Sequence, residues 1–505
     1  MNSHGTPREL GPEQLRVHFP PERLPFQTTE ELEPLQDIIG QERAARAMAF
    51  GLQVKYPGYN IYMAGPTGTG KNTYARRIVQ EKARREPVPG DWVYVYNFEN
   101  PDEPLAIHLP PGMGSKLAQD MEELVEELKL EIPRRFESED YEKQRDAIIR
   151  AFQEQSQALI DQAERAAAEL GFALRRTSAG FATIPLVGGR PITQEEFEAL
   201  DEEDRRRLEQ ANKELHERMA EVSRRIRALE KQAKEAVRDL ERRIGLAAVS
   251  HPMAELKEKY AAHPRVLEYL NRVERDIIDN LDEFKEEEET EQPLPWLRRR
   301  GRRAFVRYKV NLFVDNHATQ GAPVVVESNP TFTNLFGKVE YRHEFGTLVT
   351  DFTMIKPGAL HRANGGYLIV QAADLLKNPW AWDGLKRALK SGEVRIESVA
   401  EHMGLLPVTS IKPQPIPVQV KVILVGSAYL YHLLLYMDEE FRKYFKVLAD
   451  FDVEMPLNDA HALKYAQFIA AVTRREGLLP FARDAVARVI EHSSRMAEHK
   501  GKLST

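Results

Sequence analysis

Apolar positions change their period several times along the chain, and each change marks an element. Residues 40–54 (GQERAARAMAFGLQV) carry apolar side chains at three- and four-residue steps, which predicts an amphipathic helix. Residues 60–64 read as a buried strand, 65–70 as a glycine-rich turn, and a helix continues from Lys71. Residues 92–98 (WVYVYNF) are rich in aromatic and β-branched side chains, which predicts a further strand. Strand, glycine loop, helix and strand in this order predict a βαβ unit and a parallel sheet.

From about 113 to 300 the pattern is helical and charged. Residues 137–170 form an Ala-rich run ended by Gly171, about 50 Å long at 1.5 Å per residue. Residues 172–187 read as a hairpin, with glycines at 188 and 189. A second helix is predicted behind Thr193, where Glu196 completes a capping box, and runs to about 244. Its Leu215, Met219, Val222, Ile226, Leu229, Ala233, Ala236 and Leu240 alternate steps of four and three, a coiled-coil seam. Ile148, Phe152, Leu159, Ala163, Ala166 and Leu170 offer the partner stripe. A further helix pair ends in an acidic run at 286–289 and a basic run at 298–303. That basic cluster beside an acidic one reads as a solvated linker rather than a nucleic-acid patch.

Short apolar strands return at 308–314, 366–370 and 418–426, and beyond Pro456 the pattern is helical, broken at 477–480. The expected organisation is an irregular arm (1–35), the first half of an α/β core (36–112), a helical insertion (113–303), the second half of the core (304–456) and a small helical lid (457–505).

Composition narrows the classes. The 505 residues include 42% hydrophobic and 30% charged side chains with a net charge of only −7, which suits several cores and solvated helices better than a nucleic-acid tract. The chain has no cysteine, so disulfides, thiolate metal sites and a Cys nucleophile are excluded. No apolar leader follows Met1 and no stretch approaches 18 apolar residues, so a cytoplasmic protein without a membrane partner is expected. No pattern supports a zinc or nicotinamide site.

Gly65-Pro66-Thr67-Gly68-Thr69-Gly70-Lys71 fits G-x4-G-K between a predicted strand and a predicted helix. Backbone N–H groups of such a loop, with the helix N-terminus, form a concave anion site, and the Lys reaches the outer phosphates. The next position supplies a hydroxyl to magnesium in a working site; here it is Asn72, whose longer amide alters the geometry of an ion that demands a regular octahedron. Thr73 is one residue further around the helix and does not substitute.

Residues 358–372 read GALHRANGGYLIVQA. His361-Arg362-Ala363-Asn364-Gly365-Gly366 resembles the stretch of Lon-family ATPases in which HRAN-x-G leads into an apolar strand and then the Asp-Glu pair of Walker B. Matched residue by residue, Gln371 stands at the Asp that holds magnesium and Ala372 at the Glu that polarises water. Neither can do that chemistry, and loss of a general base costs about 10²–10⁴-fold in rate. Asp374, Asp351 and Glu340 are the nearby acids, read as surface or capping carboxylates.

The resemblance extends further, over about 40–112 and 304–505. Gly40-Gln41 is similar to the IGQ entry that packs near the adenine, and Ser427 stands at the polar sensor position after the fourth core strand. Arg442 falls where such proteins place the finger that reaches a neighbour's phosphates, with Lys446 at a second position expected to hold Arg. Phe332, Leu335 and Phe336 are candidates for a pore-facing loop, with core packing as the competing reading. The sequence GLLPFARDAVARVIEHSSRMAEHKGKLS is similar to the Lon-family lid; it stops at Thr505 where a second sensor Arg is expected, so a fragment or early-terminated form is expected.

Taken together, the resemblance implies an α/β AAA+ core (a phosphate-loop parallel sheet) with a long inserted antiparallel coiled-coil arm and a small helical lid. It implies a homo-hexameric ring module of a Lon-like protease, of an ATP-independent type, with weak ATP or ADP binding and a doubtful magnesium site. No catalytic residue is expected in this chain; unfolded polypeptide would pass to a Ser-Lys peptidase outside it. Two alternatives remain: an active ATP-dependent unfoldase with atypical magnesium ligands, and a nucleic-acid-associated AAA+ scaffold or motor.

Overall fold

The computed structural model describes residues 9–11, 14–35, 38–177, 180–285, 305–344, 347–397 and 411–505. The acidic run at 286–289 and the basic run at 298–303 lie outside the described residues. Two compact units result, one formed by Met1–Gln119 with Lys309–Thr505 and the other by Asp120–Tyr308.

In the first unit five parallel strands form one sheet: β1 (Ile61–Ala64), β2 (Val324–Glu327), β3 (Tyr367–Gln371), β4 (Lys421–Gly426) and β5 (Val447–Asp450), in the spatial order 5-1-4-3-2. Every β1 side chain is buried, as befits a strand covered on both faces. Successive side chains alternate between two cores: Tyr62 and Ala64 join Leu368, Val370, Leu424 and Phe441, while Ile61 and Met63 join Ile369, Val425, Ala449 and Phe451. This five-stranded parallel sheet with its helices fits the α/β core expected from the sequence.

The expected βαβ unit is corrected. Asp91–Val95 does not enter the parallel sheet; it pairs antiparallel with Leu105–Leu109 and with Val310–Val314 in a separate three-stranded sheet. The cause is local. The Asn97 carboxamide oxygen accepts the N–H groups of Glu99 and Asn100, turning the chain straight back into a hairpin in place of a crossover. Buried Asp91 fixes the sheet by accepting the N–H of Gly114 (2.9 Å) and of Asn316 (2.9 Å) on its two oxygens. The strands that complete the parallel sheet, β2 and β5, are four residues each and fall outside the three expected segments.

Residues 14–35 are irregular, with 3-10 turns at Pro21–Arg23 and Thr29–Glu31, yet they are anchored. Phe19, Leu24 and Phe26 share a core with Ala462, Ala466, Val486, Ile490 and Leu503, from the Asp459–Glu476 and Arg483–Met496 helices and the Lys502–Ser504 strand. Asn458 caps the first of these helices, and Gly477 (φ 66°) ends it.

The second unit is mainly helical. The Glu139–Glu169 helix, capped by Ser138, and the Glu202–Lys259 helix, capped by Asp201, pack together. They run antiparallel, since Tyr141 donates to Glu241 at one end while Ala163 and Ala167 meet Leu215 and Met219 at the other. Ile160 and Ala167 are buried deeper than Leu159 and Ala166, so the first helix turns by one residue from the expected stripe. Thr193 and Glu196 form the expected capping box, but their helix stops at Glu198 and the long one restarts at Asp201, running to Lys259 instead of 244. Phe172–Thr177, Gly180–Val187 and Arg190–Pro191 form the expected hairpin excursion.

Candidate functional site

The order of the parallel strands brings three chain segments to one end of the sheet. The glycine loop leaves β1, Gln371 ends β3 and Ser427 follows β4, and these strands are neighbours. Ligand crevices in open α/β sheets form at this carboxyl end. Gly65 closes the base of the loop, donating to Gly426 O (3.2 Å), and a Cβ there would come within 2.7 Å of Phe451. Gly68 (φ 95°) and Gly70 (φ 72°) take left-handed conformations, and a Cβ on either would meet nothing within 4 Å. The concavity in front of the Lys71–Ala83 helix is therefore open, with first-turn N–H groups that no side chain caps. Lys71 is buried, which lowers its pKa, and its ammonium donates to Pro66 O (2.7 Å). The loop fits a phosphate group.

It does not fit magnesium. Asn72, at the hydroxyl position, and Gln371, at the first acidic position, bond to each other: the Gln371 amide donates to Asn72 Oδ1 at 2.8 Å. The oxygen that would face a cation accepts a hydrogen bond instead, and neither group carries charge. Ala372 is fully buried among Tyr62, Leu368 and Val370, and a Cβ on Gly426 would approach its own Cβ to 3.1 Å. Nearby acids are engaged elsewhere: Asp374 with Lys377, Asp351 with Arg342 and the Thr353 N–H, Glu340 with Lys338. Among the described residues no three His, Asp or Glu side chains converge as metal ligands.

The HRANGG run builds the strand that carries Gln371. His361 is fully buried; its Nδ1 accepts from the Gly358 N–H (3.2 Å), and its ring meets Phe313 edge-on. Burial pushes its pKa down to about 3, so it is neutral. Arg362 pairs with Glu327 at the end of β2. The Asn364 carboxamide clasps the edge of the following segment, accepting from Gln419 N–H and donating to Pro417 O. A Cβ on Gly366 would sit 2.1 Å from Pro323 O.

Three family profiles match the chain: the LonB-like AAA domain over residues 320–452, the Lon-like LonC helical domain over 91–124, and the archaeal LonB AAA+ ATPase LID domain over 480–505. The chain is a Lon-like AAA+ protein. No curated protein matches it. A crystal structure of NtrX from Brucella abortus is similar at 14% identity, covering 46% of this chain and 56% of that one with a TM-score of 0.21, too low to carry any weight.

The other expected site residues of this Lon-like protein have mixed surroundings. Gln41 is buried and both ends of its amide are used, donating to Asp452 O (2.9 Å) and accepting from Asp452 N–H (2.8 Å). Gly40 (φ 62°) packs against Met455. Ser427 caps the Ala428–Met437 helix through Leu430 N–H, and its carbonyl accepts from Tyr62. Thr73 is exposed. Arg442 and Lys446 are exposed on the stretch after that helix; Arg442 has no ion pair among the described residues, and Lys446 lies over the Tyr59 ring. Of the two readings of the 332–336 stretch, core packing describes Leu335 and Phe336, which are buried in the core, while the half-buried Phe332 lies with its ring 4.7 Å from that of Phe336 beside Gly384.

Sequence reasoning missed one clamp. Arg43 reaches both Asp450 (2.8 Å) and Asp452 (2.7 Å), fixing the end of β5; Phe451, between them and just past the strand, buttresses the loop at Gly65 and packs on Tyr74. An acid-aromatic-acid triplet after an apolar segment was the available signal. Among the described residues no helix is long and apolar enough to cross a membrane.

Proposed function

We propose that this protein is the ring-forming AAA+ module of a Lon-like protease whose phosphate loop has lost ATP hydrolysis, and that it admits unfolded polypeptide to a Ser-Lys peptidase outside this chain. The Asn72–Gln371 hydrogen bond carries the reading. It occupies the place where a metal would link the phosphate-loop helix to β3, and it offers no charge to hold one. With Ala372 at the position of the water-activating acid, the loop keeps weak ATP or ADP binding through its backbone and Lys71, without the machinery to cleave the bond.

Hexameric assembly, in the cytoplasm, belongs to the same proposal. The Ala428–Met437 helix supports it by turning Tyr429, Leu433, Tyr436 and Met437 to solvent on one face, Tyr436 being 87% exposed, just ahead of unpaired Arg442. The paired helices of the second unit would act as an antiparallel coiled-coil arm that selects substrates, and the Asp459–Glu476 and Arg483–Met496 helices as the lid.

Turnover of Mg·ATP by this chain, measured beside Lys71→Ala, tests the reading. The expected result is no rate above that variant. A clear Lys71-dependent rate overturns it in favour of an active unfoldase with atypical ligands.

A further inference from the structure

A concave space of about 480 Å3 lies within the first unit, between residues 15–17 and the face of the Arg483–Met496 helix with the turn that follows it. Its charged lining is Arg16, Arg488, Arg495 and Lys500 against Glu491 and Glu498. In a chain of net charge −7 this is a local excess of cations.

The two carboxylates do not cancel that excess equally. Glu491 is spent: one oxygen accepts from the Phe19 N–H (3.0 Å) and His18 (3.2 Å), the other from Arg488 (2.7 Å). Burial alone would raise its pKa, but these donors hold it below the usual carboxylate range, so it stays charged and committed. Arg488 is thereby accounted for. Lys500 reaches across to the carbonyl of Gln14. Arg16 and Arg495 have no ion-pair or hydrogen-bond partner for their guanidinium groups among the described residues.

Helix electrostatics explains only part of this. Cations in the last turn of the Arg483–Met496 helix suit the negative end of its dipole, which accounts for Arg495. It does not account for Arg16, which arrives from the opposite wall on a separate segment, nor for the space left between them. The turn on the near wall is also strained: Glu498 (φ 50°) is the non-glycine residue with positive φ among those described. Such a conformation costs about 1–2 kcal/mol and persists where surroundings fix it. Here Ser494 Oγ donates to His499 O (3.0 Å) and the Gly501 N–H donates to His499 Nδ1 (3.0 Å), which sets Lys500 on the rim.

We propose that this space binds a small multivalent phosphate anion of the pyrophosphate class, gripped by Arg16 from one wall and Arg495 and Lys500 from the other. Planar guanidinium forks match phosphate oxygens two at a time, and two unpaired forks facing one cavity are the feature an isolated carboxylate does not need. Bound there, the anion ties the N-terminal segment to the helix pair it packs on, and stabilises that contact in proportion to its concentration.

Calorimetric titration of this chain with pyrophosphate, in metal-free buffer at ionic strength matched with chloride, tests the proposal. Lys71→Ala removes the competing phosphate-loop contribution. The expected result is binding that persists in Lys71→Ala and weakens about tenfold or more on adding Arg16→Ala with Arg495→Ala, the scale of one lost charge-assisted contact. Both arginine side chains are exposed, so thermal melting should show those variants folded. Heat that vanishes in Lys71→Ala and ignores the arginines overturns the proposal, as does absence of binding in every variant. Arginine-dependent binding of a hexaglutamate peptide without binding of pyrophosphate also overturns it, because the cavity would then read carboxylates. None of these outcomes bears on whether ATP is hydrolysed.

Discussion

The Gln371 amide donates to the Asn72 amide oxygen at 2.8 Å, bridging the end of β3 and the first turn of the phosphate-loop helix. Two substitutions that look independent in the sequence are thus one structural unit. In the proposed function each stands where a metal ligand is expected, and together they put a neutral hydrogen bond in that place.

That unit should appear as coupling. Asn72→Ala and Gln371→Ala are each expected to cost no more than about 1 kcal/mol, since the pair is solvent-accessible, and the double variant should cost less than their sum. Chemical denaturation of the four-member cycle checks this; strict additivity would mean the bond is not formed in solution.

Ala372 resists repair. A Glu at this fully buried position would push a carboxylate against Tyr62 and the close approach at Gly426. Ala372→Glu is therefore expected to destabilise the first unit by about 2 kcal/mol or more and leave ATP turnover absent, even combined with Asn72→Ser and Gln371→Asp. Denaturation midpoints and a phosphate-release assay read the two effects.

The buried His361 predicts an acid limb. Its folded pKa, about 3, lies below the ordinary 6.5, so only the unfolded chain takes up a proton as pH falls between them. Its contribution is complete above pH 6.5 and drains away by about 1.4 kcal/mol per pH unit below it. His361→Phe should flatten that slope while losing about 1–3 kcal/mol at neutral pH, because the Gly358 N–H is left unpaired. Urea denaturation at pH 4, 5, 6 and 7 compares the two proteins.

The exposed apolar helix face predicts self-association. Tyr429→Glu with Tyr436→Glu should leave the fold intact and abolish assembly into rings, since both side chains are mostly solvent-exposed within one chain. Light scattering on the eluting protein distinguishes hexamer from monomer; unchanged mass in the variant would place the contact elsewhere.

What the sequence made legible follows the range of the forces involved. The glycine loop, the Thr193–Glu196 capping box and the 172–187 hairpin are set by residues within a few positions of one another and stand where their patterns put them, whereas the helix behind that box breaks after Glu198 and resumes to Lys259. Strands 324–327 and 447–450 escaped because four residues show no period, and their membership is decided by strands remote in sequence, 367–371 for the first and 61–64 for the second. Trp92 and Tyr94 read as core-sheet residues, yet the Asn97 turn captures them in a hairpin first. At the site, Asn72, Gln371 and Ala372 were visible as letters, while the Asn72–Gln371 bond and the Arg43 clamp needed coordinates. Leu335 and Phe336 left two readings open because an apolar cluster looks the same in sequence whether it grips a substrate or fills a core, and both side chains are buried.

The central claim is an electrostatic one, and equilibrium binding of ATP with and without magnesium probes it most directly. Titrated into this chain in excess EDTA and again in excess Mg²⁺, ATP should bind with the same weak affinity, because neither Asn72 nor Gln371 rewards a cation at the phosphates. Tightening by about tenfold or more on adding magnesium, equivalent to about 1.4 kcal/mol, would show a working metal site and contradict the account.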